Sequence, residues 1–76
     1  MPRYFFNMHG VRPSLDQEGE ELPDNETARH EAIIIAGEMF KDVDDKFRPG
    51  QGWALVVSDD QRRPLYSIQI SAKQMK

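Results

Sequence analysis

Residues 24–47 read DNETARHEAIIIAGEMFKDVDDKF, and the spacing of the apolar residues in this stretch decides the fold. At about 100° per residue, its apolar side chains fall on one helix face within an arc of about 140°. These side chains belong to Ala28, Ala32, Ile35, Ala36, Met39, Phe40, Val43 and Phe47. Asp24 can cap the first turn by accepting from its unpaired amides, and the Pro49-Gly50 pair stops a helix. The pattern therefore predicts one helix from about Asp24 to Phe47 with a core-facing side.

Three segments outside this helix, at residues 3–9, 53–57 and 65–71, have the composition of strands and a period of two. Residues 11–15 are a candidate short strand, which Pro13 restricts to a sheet edge. A single helix laid across one face of a small antiparallel sheet buries the apolar sides of both. The sequence therefore predicts an α+β fold with three or four strands and one helix, in the order β-β-α-β-β. The predicted core is Tyr4, Phe6, Ala32, Ile35, Met39, Val43, Leu55, Val57, Ile68 and Ile70.

The chain has 76 residues, enough for a single small domain, and we expect residues 72–76 to form a frayed tail. It contains no cysteine, which excludes disulfides, thiolate chemistry and zinc sites that need sulfur. No apolar run approaches the ~18 residues of a membrane span, and the N-terminus lacks the layout of a signal peptide. We therefore expect a cytoplasmic protein with no membrane partner.

Charge is distributed unevenly along the chain. Residues 16–45 contain eleven acidic and two basic side chains, a net charge of −9, whereas the remaining residues carry +6. Tyr4, Phe5 and Phe6 could stack bases if they lay on an open sheet face. However, the predicted helix packs on the sheet face that carries Tyr4 and Phe6. The negative net charge of the chain also opposes binding to a phosphate backbone. We therefore expect no nucleic acid partner.

The titratable side chains do not form a recognisable catalytic or metal-binding pattern. His9 directly precedes a glycine at the end of a strand, and His30 lies on the polar side of the predicted helix, one turn after Glu26. Two ligands on an exposed helix do not make a metal site, and the acidic loop at residues 16–21 lacks the ligand spacing of a calcium loop. We therefore expect no catalytic residue, no metal and no cofactor, and we predict that the protein is not an enzyme.

The sequence around the helix start is similar to a known family. The opening MPRYFF, the run DQEGEELPD at residues 16–24 and the later segments VSDD and RPL resemble a family of short bacterial proteins that is defined as a domain of unknown function. That family is common in rhizobia and their relatives. The resemblance implies this fold and a bacterial cytoplasmic setting, and it carries no catalytic residues. Within the run, Gly19 suits a positive φ, Leu22 can anchor the loop in the core, and Asp24 caps the helix.

One helix covers one face of the sheet, and the opposite face carries several apolar side chains. We predict that this face binds a protein partner through Phe5, Asn7, Val56, Leu65, Ser67 and Gln69. The outer helix ridge is the alternative, but it offers only Ile34 between His30 and Lys41. The partner is either a second copy of the chain, giving a homodimer, or another protein. A monomer that tolerates this surface is the remaining alternative.

These observations favour a non-enzymatic protein-interaction module. The alternative function is a small ligand-binding or enzymatic subunit that a second chain completes. A pocket lined by His9, Glu18 or His30 would favour this alternative, because such a pocket would bring a titratable group to a bound ligand.

Overall fold

The computed structural model describes residues 1–10, 13–42, 52–71, 73 and 75. The described residues form one helix and four strands: β1 (Arg3–Gly10), β2 (Glu20–Glu21), α1 (Asn25–Asp42), β3 (Gly52–Ser58) and β4 (Pro64–Ser71). The strands pair antiparallel in the order β2-β1-β3-β4, and α1 packs on one face, over β3 and β4. The predicted α+β fold and its β-β-α-β-β order are confirmed. Most of the predicted frayed tail lies outside the described residues.

The start of α1 is held by Asp24, as the sequence predicts. The Asp24 Oδ1 atom accepts the amide of Thr27 at 2.8 Å, and the Asp24 carbonyl accepts the amide of Ala28 at 3.1 Å. Hydrogen bonds from the Thr27 side chain and amide lower the pKa of the Asp24 carboxyl. Leu22 is buried in the core two residues earlier, so it anchors the chain where the helix begins. The predicted end of the helix lies outside the described residues.

The core lies between α1 and the sheet. Of the predicted core residues, Tyr4, Phe6, Ala32, Leu55 and Val57 are buried, and Ile35, Met39, Ile68 and Ile70 pack half-buried against them. Val43 lies outside the described residues. The core also contains side chains that the predicted list leaves out, namely Met8, Leu22, Ala28, Ala36 and Trp53. The helix contributes three alanines to this core, and their small side chains allow its backbone to lie close to the sheet.

Phe40 departs from the predicted helix stripe, because its side chain is 41% exposed. The predicted arc is about 140° wide, and Phe40 falls at its outer limit, so its side chain turns away from the centre of the core-facing side.

The second strand lies later in the chain than predicted. In the described part of residues 11–15, Ser14 forms an isolated bridge to Met8, with N···O distances of 2.8 and 3.0 Å. The strand that pairs with the other side of β1 is instead Glu20–Glu21, with Glu21 opposite Arg3. The chain turns between these two contacts because the Asp16 carboxylate accepts backbone amides there, so residues 13–19 form a loop rather than a strand.

Candidate interaction surface

The loop of residues 13–19 covers β1 on the face opposite the helix. Phe5 and Asn7 point to this face, yet they are only 8% and 9% exposed. The Asn7 Oδ1 atom accepts the amide of Asp16 at 2.8 Å, which ties the loop to the strand. The alternation along β1 predicts that both residues lie uncovered. That expectation of exposure is wrong, because the loop folds back over the strand and buries them.

Asp16 holds this loop in place through its carboxylate. Its Oδ2 atom accepts the amide of Phe6 at 3.1 Å, and its Oδ1 atom accepts the amides of Glu18 at 3.2 Å and Gly19 at 3.0 Å. Partial burial raises the pKa of Asp16, but the three amide bonds and the positive charge of Arg62 outweigh it, so the pKa is lowered.

Gly19 has φ 73°, as predicted from the resemblance, and a Cβ there would lie 2.9 Å from the Tyr4 carbonyl oxygen. A larger residue would therefore push the loop away from β1.

Arg62 completes the cover of β1 from the hairpin that joins β3 and β4. Its guanidinium carbon lies 3.8 Å from the Phe5 ring centroid, and its Nη1 atom donates to the Asp16 carbonyl at 3.1 Å. Arg62 itself has φ 65°, an unusual value for a residue with a side chain. The Asp59 carboxylate supports this turn by accepting the amides of Gln61 and Arg63 at 2.9 and 2.8 Å.

The rest of the predicted partner face divides into two parts. Val56 on β3 is half-buried, and Ser67 and Gln69 on β4 are exposed, so these three remain accessible. Leu65 is exposed, but it does not lie on the same sheet face as Ser67 and Gln69. The reason is that the β3–β4 register shifts at Val57 and Ser58. Leu65 lines a cavity of about 190 Å³ beside the start of α1, together with Asn25, Glu26, Ala28, Arg29, Val57 and Tyr66.

The two edges of the sheet differ in length and charge. At one edge, β2 has two residues, both glutamates, and Glu21 pairs with Arg3 at 3.1 Å. At the other edge, β4 has eight residues, PLYSIQIS, and none is charged. β4 has no strand on its outer side among the described residues. Short, charged strands block edge pairing, whereas a long uncharged edge presents unpaired N–H and C=O groups.

A flank of α1 lies above the β4 edge. Hydrogen bonds to the Glu26 carboxylate and, to a smaller extent, to the Tyr66 hydroxyl raise the pKa of the Arg29 guanidinium. Because Tyr66 belongs to β4, Arg29 lies on the β4 side of the helix. Ile33 follows one turn later on the same side and is 47% exposed. We call the outer side of β4 together with Arg29 and Ile33 the β4 edge surface. The sequence does not reveal this surface, because periodicity shows which residues form a strand but not which strand is outermost.

A second cavity lies at the far end of the sheet. It has a volume of about 280 Å³ and is lined by His9, Gly10, Gly52, Trp53, Ala54, Gln69, Ile70 and Ser71. The Trp53 Nε1 atom is buried and has no hydrogen-bond acceptor among the described residues. Of the three residues named for a ligand pocket, only His9 lines this cavity. His30 is exposed on α1, and Glu18 belongs to the loop that covers β1.

The described part of the chain contains no group of three or more His, Asp or Glu side chains that could hold a metal ion. In the same residues, α1 is not long and apolar enough to cross a membrane.

Comparison with known proteins gives a family but no relative of known activity. No curated protein and no solved structure shows a significant match to the chain. A family model described as a domain of unknown function, DUF6894, matches residues 3–71. This match spans every strand and the helix, from the first residue of β1 to the last residue of β4. The chain therefore belongs to the DUF6894 family, a domain of unknown function.

Proposed function

We propose that the protein is a non-enzymatic protein-interaction module that binds its partner through the β4 edge surface. The observation that carries this proposal is the eight-residue uncharged strand at the edge of the sheet. Backbone groups at such an edge can add a strand from a partner, and the main-chain hydrogen bonds then supply affinity. Ile33 lies above this edge, where it can add apolar contact area to the strand pairing.

The contrast between the two edges supports this choice of surface. A long edge strand without charge is a hazard for aggregation, and proteins usually shorten, charge or cover it. The β2 edge is both short and charged, whereas β4 is neither. A partner that covers β4 removes the hazard and uses the same groups for binding. Of the predicted partner face, Val56, Ser67 and Gln69 lie next to this edge and can contribute to the contact.

The proposed setting is the bacterial cytoplasm, which rests on the resemblance of the sequence motifs to short bacterial proteins. We assign no catalytic residue, cofactor, nucleic acid or membrane partner to the module. The acidic charge concentrated in residues 16–45 supports a protein partner over a polyanion, because binding to phosphates requires clustered basic side chains.

The test is site-specific photocrosslinking in the cells that make the protein. A benzophenone amino acid is placed at Ser67 on β4 or, as the matched control, at Gln17 on the loop that covers β1, where both residues are exposed. The proposal expects a protein adduct from position 67 and none from position 17. Equal adducts from both positions, or none from either, would contradict it.

The cavity near His9 favours a second candidate function, a ligand-binding or enzymatic subunit that a second chain completes. Gln69, Ile70 and Ser71 of β4 form part of its lining, so a partner on the β4 edge would lie beside it. The buried Trp53 Nε1 atom offers an unused donor at the same end of the sheet. Intact-mass analysis under native conditions tests this function. A small molecule that is retained by the wild type and lost in His9→Ala would support it, and a ligand-free mass would contradict it.

A further inference from the structure

We infer that the partner on the β4 edge surface is a second copy of the chain, with the two β4 strands paired antiparallel about a two-fold axis. The resulting dimer has a continuous eight-stranded sheet with both helices on the same face. This inference rests on the proposed function, because it uses the same surface. A two-fold axis perpendicular to the sheet relates the copies, so each contact is made twice.

The pleat of the strand limits the possible registers. Residues directly opposite each other in an antiparallel pair point to the same face, so a strand that pairs with its own copy must place one residue opposite itself. β4 spans Pro64–Ser71, and its two central residues are Ser67 and Ile68. When nearly all of β4 takes part in the pairing, the axis therefore passes between Ser67 and its copy or between Ile68 and its copy. Because β4 carries no charge, neither register brings like charges together at the axis.

The position of α1 suits this arrangement. The helix packs over β3 and β4, so its axis runs above the gap between them. With strands about 4.8 Å apart, pairing the two edges places the helix axes about 10 Å apart. That separation falls within the roughly 8–10 Å at which helices pack against each other. The edge pairing thus produces a helix–helix contact without any change in the fold of either copy.

The residue that this helix contact would bury is Ile33. Arg29 lies beside Tyr66, and α1 begins beside Leu65, so the helix runs in the same direction as β4. The axis passes one or two residues beyond Tyr66, about 3–7 Å along the strand. At about 1.5 Å per residue, this is two to five residues beyond Arg29 on the helix. Ile33 therefore lies near the axis, where it meets its own copy.

Gly37 supports the same contact. It follows Ile33 by one turn, and a Cβ at this position would meet no atom of the described residues within 4 Å. Glycine weakens a helix interior relative to alanine, and packing among the described residues of one copy gives no reason for it here. A second helix at about 10 Å gives a reason, because a residue without a side chain leaves room for the neighbouring copy.

The experiment introduces a positive or a negative charge at Ser67 and measures self-association of the purified chain by sedimentation equilibrium. In either register, Ser67 lies opposite its copy or diagonal to it, within about 5–8 Å. The wild type should sediment at twice its 8.8 kDa chain mass. Ser67→Lys and Ser67→Glu should each weaken self-association by about tenfold, because like charges meet near the axis. An equimolar mixture of the two variants should recover the dimer, which also shows that both variants fold.

Matched controls are Gln17→Lys and Gln17→Glu, which should leave the mass unchanged. Ile33→Lys provides an independent variant on the helix flank and should also weaken self-association, because it places two positive charges near the axis. A monomeric wild type, or charge variants that dimerise as the wild type does, would overturn the inference. In that case a crosslink from position 67 to a different protein would leave the proposed function standing, whereas no crosslink would remove both.

Discussion

The guanidinium carbon of Arg62 lies 3.8 Å from the centroid of the Phe5 ring, on the sheet face opposite the helix. These residues are 57 positions apart, and their contact joins the β3–β4 hairpin to the first strand. The same guanidinium donates to the Asp16 carbonyl, so hairpin, strand and loop meet at one point. This contact covers the half of the sheet face that lies over β1 and leaves the half near β4 accessible.

Two substitutions at Arg62 should distinguish the stability that its side-chain contacts contribute from the stability that its positive φ costs. Arg62→Ala loses the ring contact and keeps φ 65°, so we expect the free energy of unfolding to fall by about 1–2 kcal/mol. Arg62→Gly loses the same contact but relieves the backbone, so it should be more stable than Arg62→Ala by about 1 kcal/mol. Urea denaturation followed by Trp53 fluorescence measures both. An alanine variant as stable as the glycine variant would show that the backbone is not strained.

Asp16 should make stability depend on pH at the acidic end. Its pKa is lowered in the folded protein, so its contribution is present above the unfolded pKa of about 3.9 and is lost as the pH falls through the folded value. Asp16→Asn should lower the free energy of unfolding at pH 7 by about 1–3 kcal/mol, because it weakens the acceptor for three amides. The difference between variant and wild type should shrink near pH 3. Urea denaturation at both pH values checks this, and a difference independent of pH would contradict it.

The loss of stability on truncating an aliphatic side chain to alanine should increase with the burial of that side chain, as three variants can show. Leu55→Ala removes a fully buried side chain and should cost about 2–5 kcal/mol. Ile34→Ala changes an exposed side chain and should lie within about 0.5 kcal/mol of wild type. Ile35→Ala should fall between them, because Ile35 is half-buried against the core. These values come from thermal or urea unfolding, and an Ile34 cost equal to that of Leu55 would show that the helix phase is wrong.

Two glycine-to-alanine substitutions should change the stability of the protein in opposite directions. In the Ser67→Lys variant, diluted until it is monomeric, Gly37→Ala should raise the stability by about 1 kcal/mol. The new methyl group meets no atom of the described residues, and alanine favours the helix. Gly10→Ala should destabilise the protein, since Gly10 has φ 109° and a Cβ there would clash with the Gly52 carbonyl oxygen. Unfolding curves of both variants in the same monomeric background make the comparison. A stabilised Gly10→Ala would contradict the close approach of β1 and β3.

The helix and the strands could be predicted from sequence because their signals are local. The cap at Asp24 reaches only to Thr27, and the apolar stripe of α1 repeats within two turns. A period of two likewise identifies the core side of β1, where Tyr4 and Phe6 are buried as predicted. These features arise from backbone geometry over a few residues, so a short window of sequence contains them.

The tertiary structure alone decided which surface is left open. Phe5 and Asn7 alternate with core residues as an exposed face would, yet contacts from Arg62 and Asp16 bury them. Leu65 left its predicted row because a register shift in the β3–β4 pair moved it, and β4 became an edge through the order of pairing. The burial of Phe5 and Asn7 and the edge position of β4 depend on residues that are distant in the chain, where the energy of contact outweighs local preference. The shift at Leu65 depends on the exact pairing of the two strands of one hairpin. Sequence periodicity therefore determined the helix and strands of this protein, and packing between distant segments determined which part of the sheet stays accessible.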